Sequence, residues 1–394
     1  MGGPFEAPHV LGPLAGTRPD AASLGFYLHV PFCVARCHYC SFNTAPLDRA
    51  ALRRYLHALT LEIDLLGAAP WAADVRLDSI FFGGGTPSLL APHELSAILD
   101  RLRARFAVAP DADVTVECNP ESVEVEALAA YRRAGVTRIS LGVQSLDDAL
   151  LEHLGRLHSG RSARQAFEAT RAAGFTNVSV DLMYGLPGLD VVGWVRTVES
   201  ALDWEPEHLS AYGLTLDEGS RWGACGVAGL PPEDTVVAQY WALARAAAAR
   251  GYEHYEISNY ARAGLRARHN LVYWRAAEYL ASGPGGCGFV GDVRYSNAKP
   301  VSRYCAALED GRLPIDSFER LTPRQRLAER LVLGLRTSEG VPTSWLADRI
   351  GTDPALARRL EHWRAAGLLD ETLDRIRLTE RGFLLSDAIF TDLV

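Results

Sequence analysis

Cys33, Cys37 and Cys40 stand in the run His29-Val-Pro-Phe-Cys-Val-Ala-Arg-Cys-His-Tyr-Cys-Ser-Phe42. The spacing C-x3-C-x2-C puts three thiolates on one short loop and supplies no fourth. Cubane iron–sulfur clusters are normally held by four Cys thiolates. Three ligands leave one iron open to a small molecule, as catalytic zinc keeps one position open. A structural zinc loop is the alternative, but it needs a fourth ligand, and His38 lies inside the loop and points poorly for that task. Inert buried cysteines are a third reading, at odds with so tight a spacing beside aromatic residues.

Gly83-Gly84-Gly85-Thr86-Pro87 follows the apolar pair Phe81-Phe82. Glycines there allow close approach of backbone to a ligand, and successive N–H and C=O groups can hold a charged amino-acid end. Alone such a turn is a weak signal. One strand after the cysteine loop it gains force.

These loops need elements to position them. From about Phe26 the chain alternates β-rich runs with Ala/Leu/Arg-rich helical stretches. Strands are expected at Phe26–Val30, Ser79–Phe82, Val114–Cys118, Arg138–Gly142, Val178–Met183 and Leu209–Leu214. Helices are expected at Arg49–Leu66, His93–Phe106, Val123–Ala134, Ser162–Ala173 and Val192–Leu202. Such alternation implies parallel strands with crossover helices. Six units, each strand ending in a functional-looking loop, suit an α/β fold with a partial (β/α)6 barrel, whose chemistry collects at the strands' C-terminal ends. A long helix (Glu233–Arg250) and a Gly/aromatic stretch follow. From Leu321 on, helices at Pro323–Leu335, Pro342–Ile350 and Pro354–Ala366, then short strands around Arg375–Leu378 and a closing helix, give a winged-helix-like order. The expected organisation is therefore a loose leader over 1–20, the barrel over 21–255, a connecting segment over 256–320 and a small, mainly helical domain over 321–394.

Composition sets bounds. With 394 residues, 48% of them apolar, the chain has length for two domains and carries no run as long as a membrane span. Seven cysteines, an odd number scattered over a large chain, point to a reducing cytoplasm rather than a disulfide framework. A net charge of −8 argues against nucleic acid or an anionic membrane as a non-specific partner. The last domain balances 11 Arg against 11 acidic residues, which suits a lid or packing role.

The cysteine loop and Gly-Gly-Gly-Thr-Pro resemble the radical S-adenosylmethionine (SAM) superfamily, in its oxygen-independent coproporphyrinogen oxidase-like branch. The resemblance extends at matching spacing nearly to the C-terminus. It implies a [4Fe–4S] cluster on Cys33, Cys37 and Cys40, with SAM chelating the open iron and cleaved by one electron to methionine and a 5′-deoxyadenosyl radical. It also implies that Gly84, Gly85 and Thr86 contact the methionyl amino end, with Glu117 of Val-Glu-Cys-Asn-Pro beside it. Gln144 of Gly-Val-Gln-Ser, Arg156 of Leu-Gly-Arg-Leu-His and Asp181 of Asp-Leu-Met-Tyr-Gly-Leu-Pro would contact ribose and carboxylate. Tyr27 and Tyr39 resemble aromatic neighbours of the cofactors.

Within the branch, three features favour the heme-chaperone (HemW) group over the oxidases. Position 42 is Phe where the oxidases carry a further Cys, the chain starts almost directly at the core, and Arg268-His-Asn-Leu-Val-Tyr-Trp274 resembles the group's HNxxYW motif. The resemblance implies heme as a third cofactor, with His269, Asn270, Tyr273 and Trp274 as its contacts and His269 as axial ligand. It further implies heme-accepting respiratory proteins as partners and allows a homodimer. Where the group reads Gly-Pro-Gly-Ala-His, this chain has Gly283-Pro-Gly-Gly-Cys287, so a thiol replaces an imidazole. The competing activities are oxidative decarboxylation of coproporphyrinogen and heme degradation by a radical SAM methyltransferase.

Overall fold

The computed structural model describes residues 10–350 and 354–393. Strands β1 (Ser23–Val30), β2 (Arg76–Gly84), β3 (Ala107–Cys118), β4 (Arg138–Gln144), β5 (Val178–Tyr184) and β6 (His208–Gly213) pair in that order, all parallel. Between them run α1 (Arg49–Gly67), α2 (Pro92–Arg105), α3 (Val125–Ala134), α4 (Asp148–Leu154), α5 (Gly160–Ala172) and α6 (Val191–Leu202). Every expected strand and helix of this unit is present, and α4 is an addition. Local signals start the helices: Asp48, Asp147, Ser159 and Asp190 each accept a first-turn backbone N–H.

Side chains alternate along a strand, so each strand has two faces. One face is apolar: Phe26, Leu28, Val30, Ile80, Phe82, Val114, Val116, Ile139, Leu141, Val178, Val180 and Leu209 are all buried in one continuous core with the helices. The opposite face is polar to an unusual degree. It carries Tyr27 and His29, Ser79, Asp113, Thr115 and Glu117, Arg138 and Ser140, Ser179 and Asp181, His208 and Ser210. Branched apolar side chains usually fill a barrel interior; this one is built of groups that need partners.

After β6 come α7 (Arg221–Cys225), α8 (Glu233–Ala249), β7 (Glu253–Glu256) and β8 (Asn259–Ala261), with β8 antiparallel to β6. Helix α9 (Arg268–Trp274) then leads to the other edge. There β9 (Tyr279–Ser282) lies parallel to β1, followed outward by β10 (Cys287–Val290), β11 (Val293–Asn297) and β12 (Ile315–Arg320), while α10 (Val301–Glu309) packs on α1. The sheet is thus one open surface of 12 strands. The segment 256–320, expected as a connection, is largely part of that sheet. The expected leader is corrected in the same way. Its residues 1–9 lie outside the described residues, but Leu11 and Leu14 are buried in the main core and Leu313 N–H donates to Val10 O at 3.0 Å.

The C-terminal unit has α11 (Pro323–Gly334), β13 (Val341–Pro342), α12 (Thr343–Ile350), α13 (Pro354–Ala365), β14 (Leu369–Glu371) and β15 (Arg375–Leu378), with strand order β13-β15-β14. Leu331, Leu360, Trp363, Ile376 and Phe383 belong to a core of its own, as a winged-helix-like module requires. It is fastened to the barrel by a β-bridge between Glu256 and Thr337 and by Tyr240 Oη donating to Glu380 O at 3.0 Å.

One buried carboxylate ties the late strands to the barrel. Glu62 of α1 accepts from Gly283 N (2.8 Å), Asn297 Nδ2 (2.6 Å) and Tyr304 Oη (2.6 Å). Glu62→Ala takes the acceptor from three buried donors, of which Asn297 Nδ2 alone keeps a second partner in Gly283 O, and should cost about 3 kcal/mol of stability, with Glu62→Gln costing less. Urea unfolding monitored by far-UV circular dichroism measures it; an alanine variant as stable as the parent contradicts the assignment.

Candidate functional site

The cysteine loop leaves β1 and closes on itself where Phe32–Cys33 pair in parallel with Ala45–Pro46. Hydrogen bonds fasten both limbs. His29 Nε2 donates to Asn43 O (2.8 Å) and its Nδ1 accepts from Tyr27 Oη (3.0 Å). Asn43 Nδ2 donates to Pro284 O and Lys299 O, both at 2.9 Å, so the Gly283–Cys287 turn clasps the loop from outside. His38 is engaged elsewhere: Nδ1 donates to His153 O (2.9 Å) and Nε2 accepts from Arg221 (3.0 Å). It is no fourth ligand. Among the described residues no three His, Cys, Asp or Glu side chains converge on one ion-sized point. A zinc loop needs that convergence, whereas a cubane offers each thiolate its own iron.

The glycine turn extends the β1–β2 ladder beyond the strand ends. Gly85 N donates to Val30 O (2.7 Å) and Thr86 N to Phe32 O (2.8 Å). A Cβ on Gly85 would sit 2.6 Å from Phe32 O, and Gly84 has φ +110°. Glycine is therefore needed here to press the turn against the cysteine loop. From the turn a chain of polar contacts runs across the strand ends. Thr86 Oγ1 donates to Cys33 Sγ (3.5 Å) and accepts from Asn119 Nδ2 (3.1 Å). Arg156 donates through Nη2 to Asn119 Oδ1 (2.8 Å) and Gly142 O (2.7 Å), and through Nη1 to Cys37 Sγ (3.5 Å). Donors aimed at ligating sulfurs tune a cluster and fix its ligands.

Above the polar interior lies a cavity of about 330 Å³. Its walls include Cys33, Cys37, Cys40, Tyr39, Gly84, Gly85, Thr86, Glu117, Gln144, Arg156 and Asp181, all expected from the sequence. Tyr27 alone of that set is not in the wall; it lies deeper, against Phe81 and His29. The sequence reading missed Asn119, Ser140, Met183 and Tyr212, which also line the cavity. The polar alternation along β3 to β6 was the available signal for Ser140.

Burial dominates the electrostatics. It pushes the Cys33 and Cys40 thiols up, so without metal they stay protonated, and ligation must displace a proton. It raises Glu117 to about 8, with the nearby Asp181 adding to the rise and the Gly84 N–H (3.2 Å) opposing it. Asp181 is also raised by burial, against hydrogen bonds from Ser210, Ser140 and Ser179. Two wall residues keep buried atoms without partners, Gln144 Oε1 and Arg156 Nε. Gln144 adopts φ +64°, a left-handed conformation that costs a non-glycine residue about 1 kcal/mol. An orphan acceptor held by strained backbone beside an orphan guanidinium N–H fits a ligand carrying hydroxyls and a carboxylate. The three thiols, the glycine turn and these orphans together fit a cubane cluster with SAM at its open iron.

The heme expectation at the HNxxYW run fits less well. His269 is buried, stacked on Phe81 (5.2 Å between centroids), with Nδ1 bonded to Ser79 Oγ (2.9 Å) and Nε2 to Tyr273 Oη (2.8 Å). Burial lowers its pKa to about 3. Gly25 makes room for its ring, since a Cβ there would lie 3.2 Å from His269 Cε1. The residues around it seal the inner end of the barrel. Arg268 N donates to Asp113 Oδ2 (3.2 Å), Ala267 N to Tyr255 Oη (3.2 Å), and Arg138 to Leu265 O (3.4 Å). Trp274 is half-buried under the Arg336 guanidinium, towards the C-terminal unit, and Asn270 is half-buried on α9. None of the four lines the cavity. In this fold His269 fills the inner end of the barrel, with both ring nitrogens engaged by hydroxyls of the chain. Cys287, in the place of the usual His, is exposed.

Comparison with known proteins agrees with this geometry. Residues 27–201 match the radical SAM superfamily and residues 321–385 match the HemN C-terminal domain. The chain is 40% identical to the heme chaperone HemW of Mycobacterium tuberculosis, over 99% of this chain and 98% of that one. It is 33% identical to HemW of Bacillus subtilis, over 92% and 97%. The solved structure of coproporphyrinogen III oxidase (HemN) from Escherichia coli superposes with a TM-score of 0.82 at 23% identity, over 99% of this chain and 95% of that one.

Two outcomes test these placements. Glu117 is neutral below its pKa of about 8, and a ligand ammonium favours its ionised form. Affinity for SAM should therefore rise with pH up to about 8, by up to tenfold per unit, and Glu117→Gln should flatten the profile; a flat profile in the parent protein contradicts it. His269→Ala should cost about 3 kcal/mol in urea unfolding by leaving a cavity and unpaired hydroxyls; a variant of unchanged stability would show that His269 is no plug.

Proposed function

This chain belongs to the HemW heme-chaperone family within the radical SAM superfamily, and on that footing we propose that it carries a [4Fe–4S] cluster and SAM, binds heme and delivers it to hemoproteins of the respiratory chain. The observation that carries the reading is the full-length relationship to HemW chaperones in a chain whose cavity joins three thiols to a glycine turn and unpartnered polar atoms. Phe42 supports it against the oxidase alternative. It is 62% exposed at the cavity rim, so the loop offers a phenyl ring there and no fourth sulfur.

When bound and reduced, the cluster supplies one electron for cleavage of a carbon–sulfur bond in SAM. The residues of the chain do the rest. Cys33, Cys37 and Cys40 hold the cluster, and Thr86 and Arg156 orient Cys33 and Cys37 from below. The Gly84–Thr86 backbone and ionised Glu117 receive the methionyl ammonium. The unpartnered Arg156 Nε meets a carboxylate, and Gln144 and Asp181 receive the ribose hydroxyls. Tyr39 and Met183 close the apolar walls and exclude water.

Among the described residues no helix is long and apolar enough to cross a membrane. Cytoplasmic residence, respiratory acceptors and a homodimer formed through the exposed Val34 and Phe42 belong to the same proposal.

The test is anaerobic reconstitution followed by incubation with SAM, a reductant, and either heme or coproporphyrinogen. Intact, stably bound heme and unchanged coproporphyrinogen are expected. Decarboxylated product would establish the oxidase, loss of the heme chromophore a degrading enzyme, and material unable to hold iron and sulfide would end the reading.

A further inference from the structure

Two donors from outside the cysteine loop reach its sulfurs, and one side chain connects them. Thr86, just past β2, donates to Cys33 Sγ, and Arg156, just past α4, donates to Cys37 Sγ, both at 3.5 Å. Asn119, one residue past β3, stands between the two. Its Oδ1 accepts from Arg156 Nη2 (2.8 Å) and its Nδ2 donates to Thr86 Oγ1 (3.1 Å). A guanidinium can only donate, so the amide oxygen must face Arg156 and the amide nitrogen must face Thr86. Chemistry alone fixes which way this amide points.

That orientation sets the direction of the next bond. A threonine hydroxyl has a single proton to give. Thr86 Oγ1 already accepts from the amide, so its own proton goes to Cys33 Sγ. A carboxylate at position 119 would reverse this, because it offers only acceptors and competes with the sulfur for that proton. On the other side, Asn119 Oδ1 and Gly142 O (2.7 Å) hold Arg156 Nη2 and leave Nη1 for Cys37. The backbone of Asn119 is anchored separately. Its N–H donates to Ser88 Oγ (3.4 Å), and its carbonyl accepts from Ser122 N (2.9 Å) and Ser122 Oγ (2.8 Å). Those bonds ask nothing of the side chain, which is free to serve the two sulfur donors.

We propose that Asn119 is a positioning residue that sets the reduction potential of the cluster, by turning the Thr86 hydroxyl proton onto Cys33 and holding Arg156 on Cys37. The couple takes one electron, from the 2+ to the 1+ state of the cubane, and that electron comes from a low-potential reductant. Reduction adds negative charge that spreads onto the ligand sulfurs. Donors aimed at those sulfurs stabilise the reduced state more than the oxidised one, and so raise the potential. Cleavage of SAM draws on the reduced cluster, so the direction of one amide bears on how readily that electron is accepted. The inference rests on the cluster reading and adds to it a residue that touches none of the three sulfurs.

The test titrates the reconstituted full chain, without SAM, with dithionite and redox mediators, and reads the reduced cluster by electron paramagnetic resonance. Asn119→Asp keeps an acceptor for Arg156 but draws the Thr86 proton away from Cys33. It should lower the ratio of reduced to oxidised cluster at a fixed potential about tenfold, a shift of about 59 mV for one electron. The added negative charge lowers the potential by itself, so the same substitution is repeated in Thr86→Val, which has no hydroxyl to turn. There the change should be about threefold or less. Thr86→Ser keeps the hydroxyl and should keep the parent potential. An unchanged potential in Asn119→Asp, or an equal shift in both backgrounds, overturns the role of Asn119 and leaves the cluster reading standing. An Asn119→Asp protein with less iron and sulfide than the parent would show that the side chain builds the loop rather than tunes its cluster, which also overturns the assignment. Parent protein unable to hold iron and sulfide overturns both.

Discussion

Buried polar groups must find partners, and the unusual polarity of this barrel's inner face makes that requirement govern the whole molecule. Six parallel strands send apolar side chains outward to the helices and polar ones inward. A closed, dry interior would leave Asp113, Arg138, Asp181 and His208 without compensation, at several kcal/mol for each charge. The fold meets the demand in layers. At the inner end, backbone and side chains of residues 265–273 satisfy Asp113, Arg138 and Ser79. At the outer end, groups are left for ligands. Between the layers Asp181 accepts from Ser140 and Ser179, Ser179 meets His208 Nδ1 (2.8 Å), and His208 Nε2 meets Tyr255 Oη (2.8 Å). One hydrogen-bonded line therefore runs from the cofactor cavity to the plug.

The same requirement explains why the cysteine loop can be short. Three ligands within eight residues hold a shape only if the backbone between them is fixed from outside. His29, Asn43, Arg36 and His38 each pin a different point of the loop, to β1, to the Gly283–Cys287 turn, to Gly219 and to α4. Each such bond is worth about 1 kcal/mol net. Their value is that they act on one loop from four directions, which holds the sulfur positions before a cluster arrives. Preorganised ligands lose less entropy on binding metal.

Much of this was legible in the sequence because the signals were local. Short runs of Val, Ile, Leu and Phe between capped helices give the strands, and the residues that follow each strand give the cavity wall. What stayed hidden has a physical reason in each case. Helix α4 has only seven residues, two turns, too few for a helical period to register. Leu11 and Leu14 lie outside any periodic run, so the segment carrying them read as a leader. Asn119 differs from an ordinary loop asparagine only by its bonds to Thr86, just past β2, and Arg156, just past α4, both distant in sequence. Strands β9 to β12 are short and mixed in composition, and only β9 pairs with β1, after a long return of the chain.

His269 shows most clearly how residue type underdetermines role. A His, a Tyr and a Trp on one short helix provide what a porphyrin needs, and they equally provide what an unsatisfied barrel floor needs. Magnitudes separate the two. Releasing His269 to reach an external iron would leave Ser79 and Tyr273 unpaired, at about 1–3 kcal/mol each. It would also break the stack on Phe81, worth about 1 kcal/mol. A micromolar ligand contributes about 8 kcal/mol in all, so roughly half or more of that would be consumed before any contact with the cargo was made.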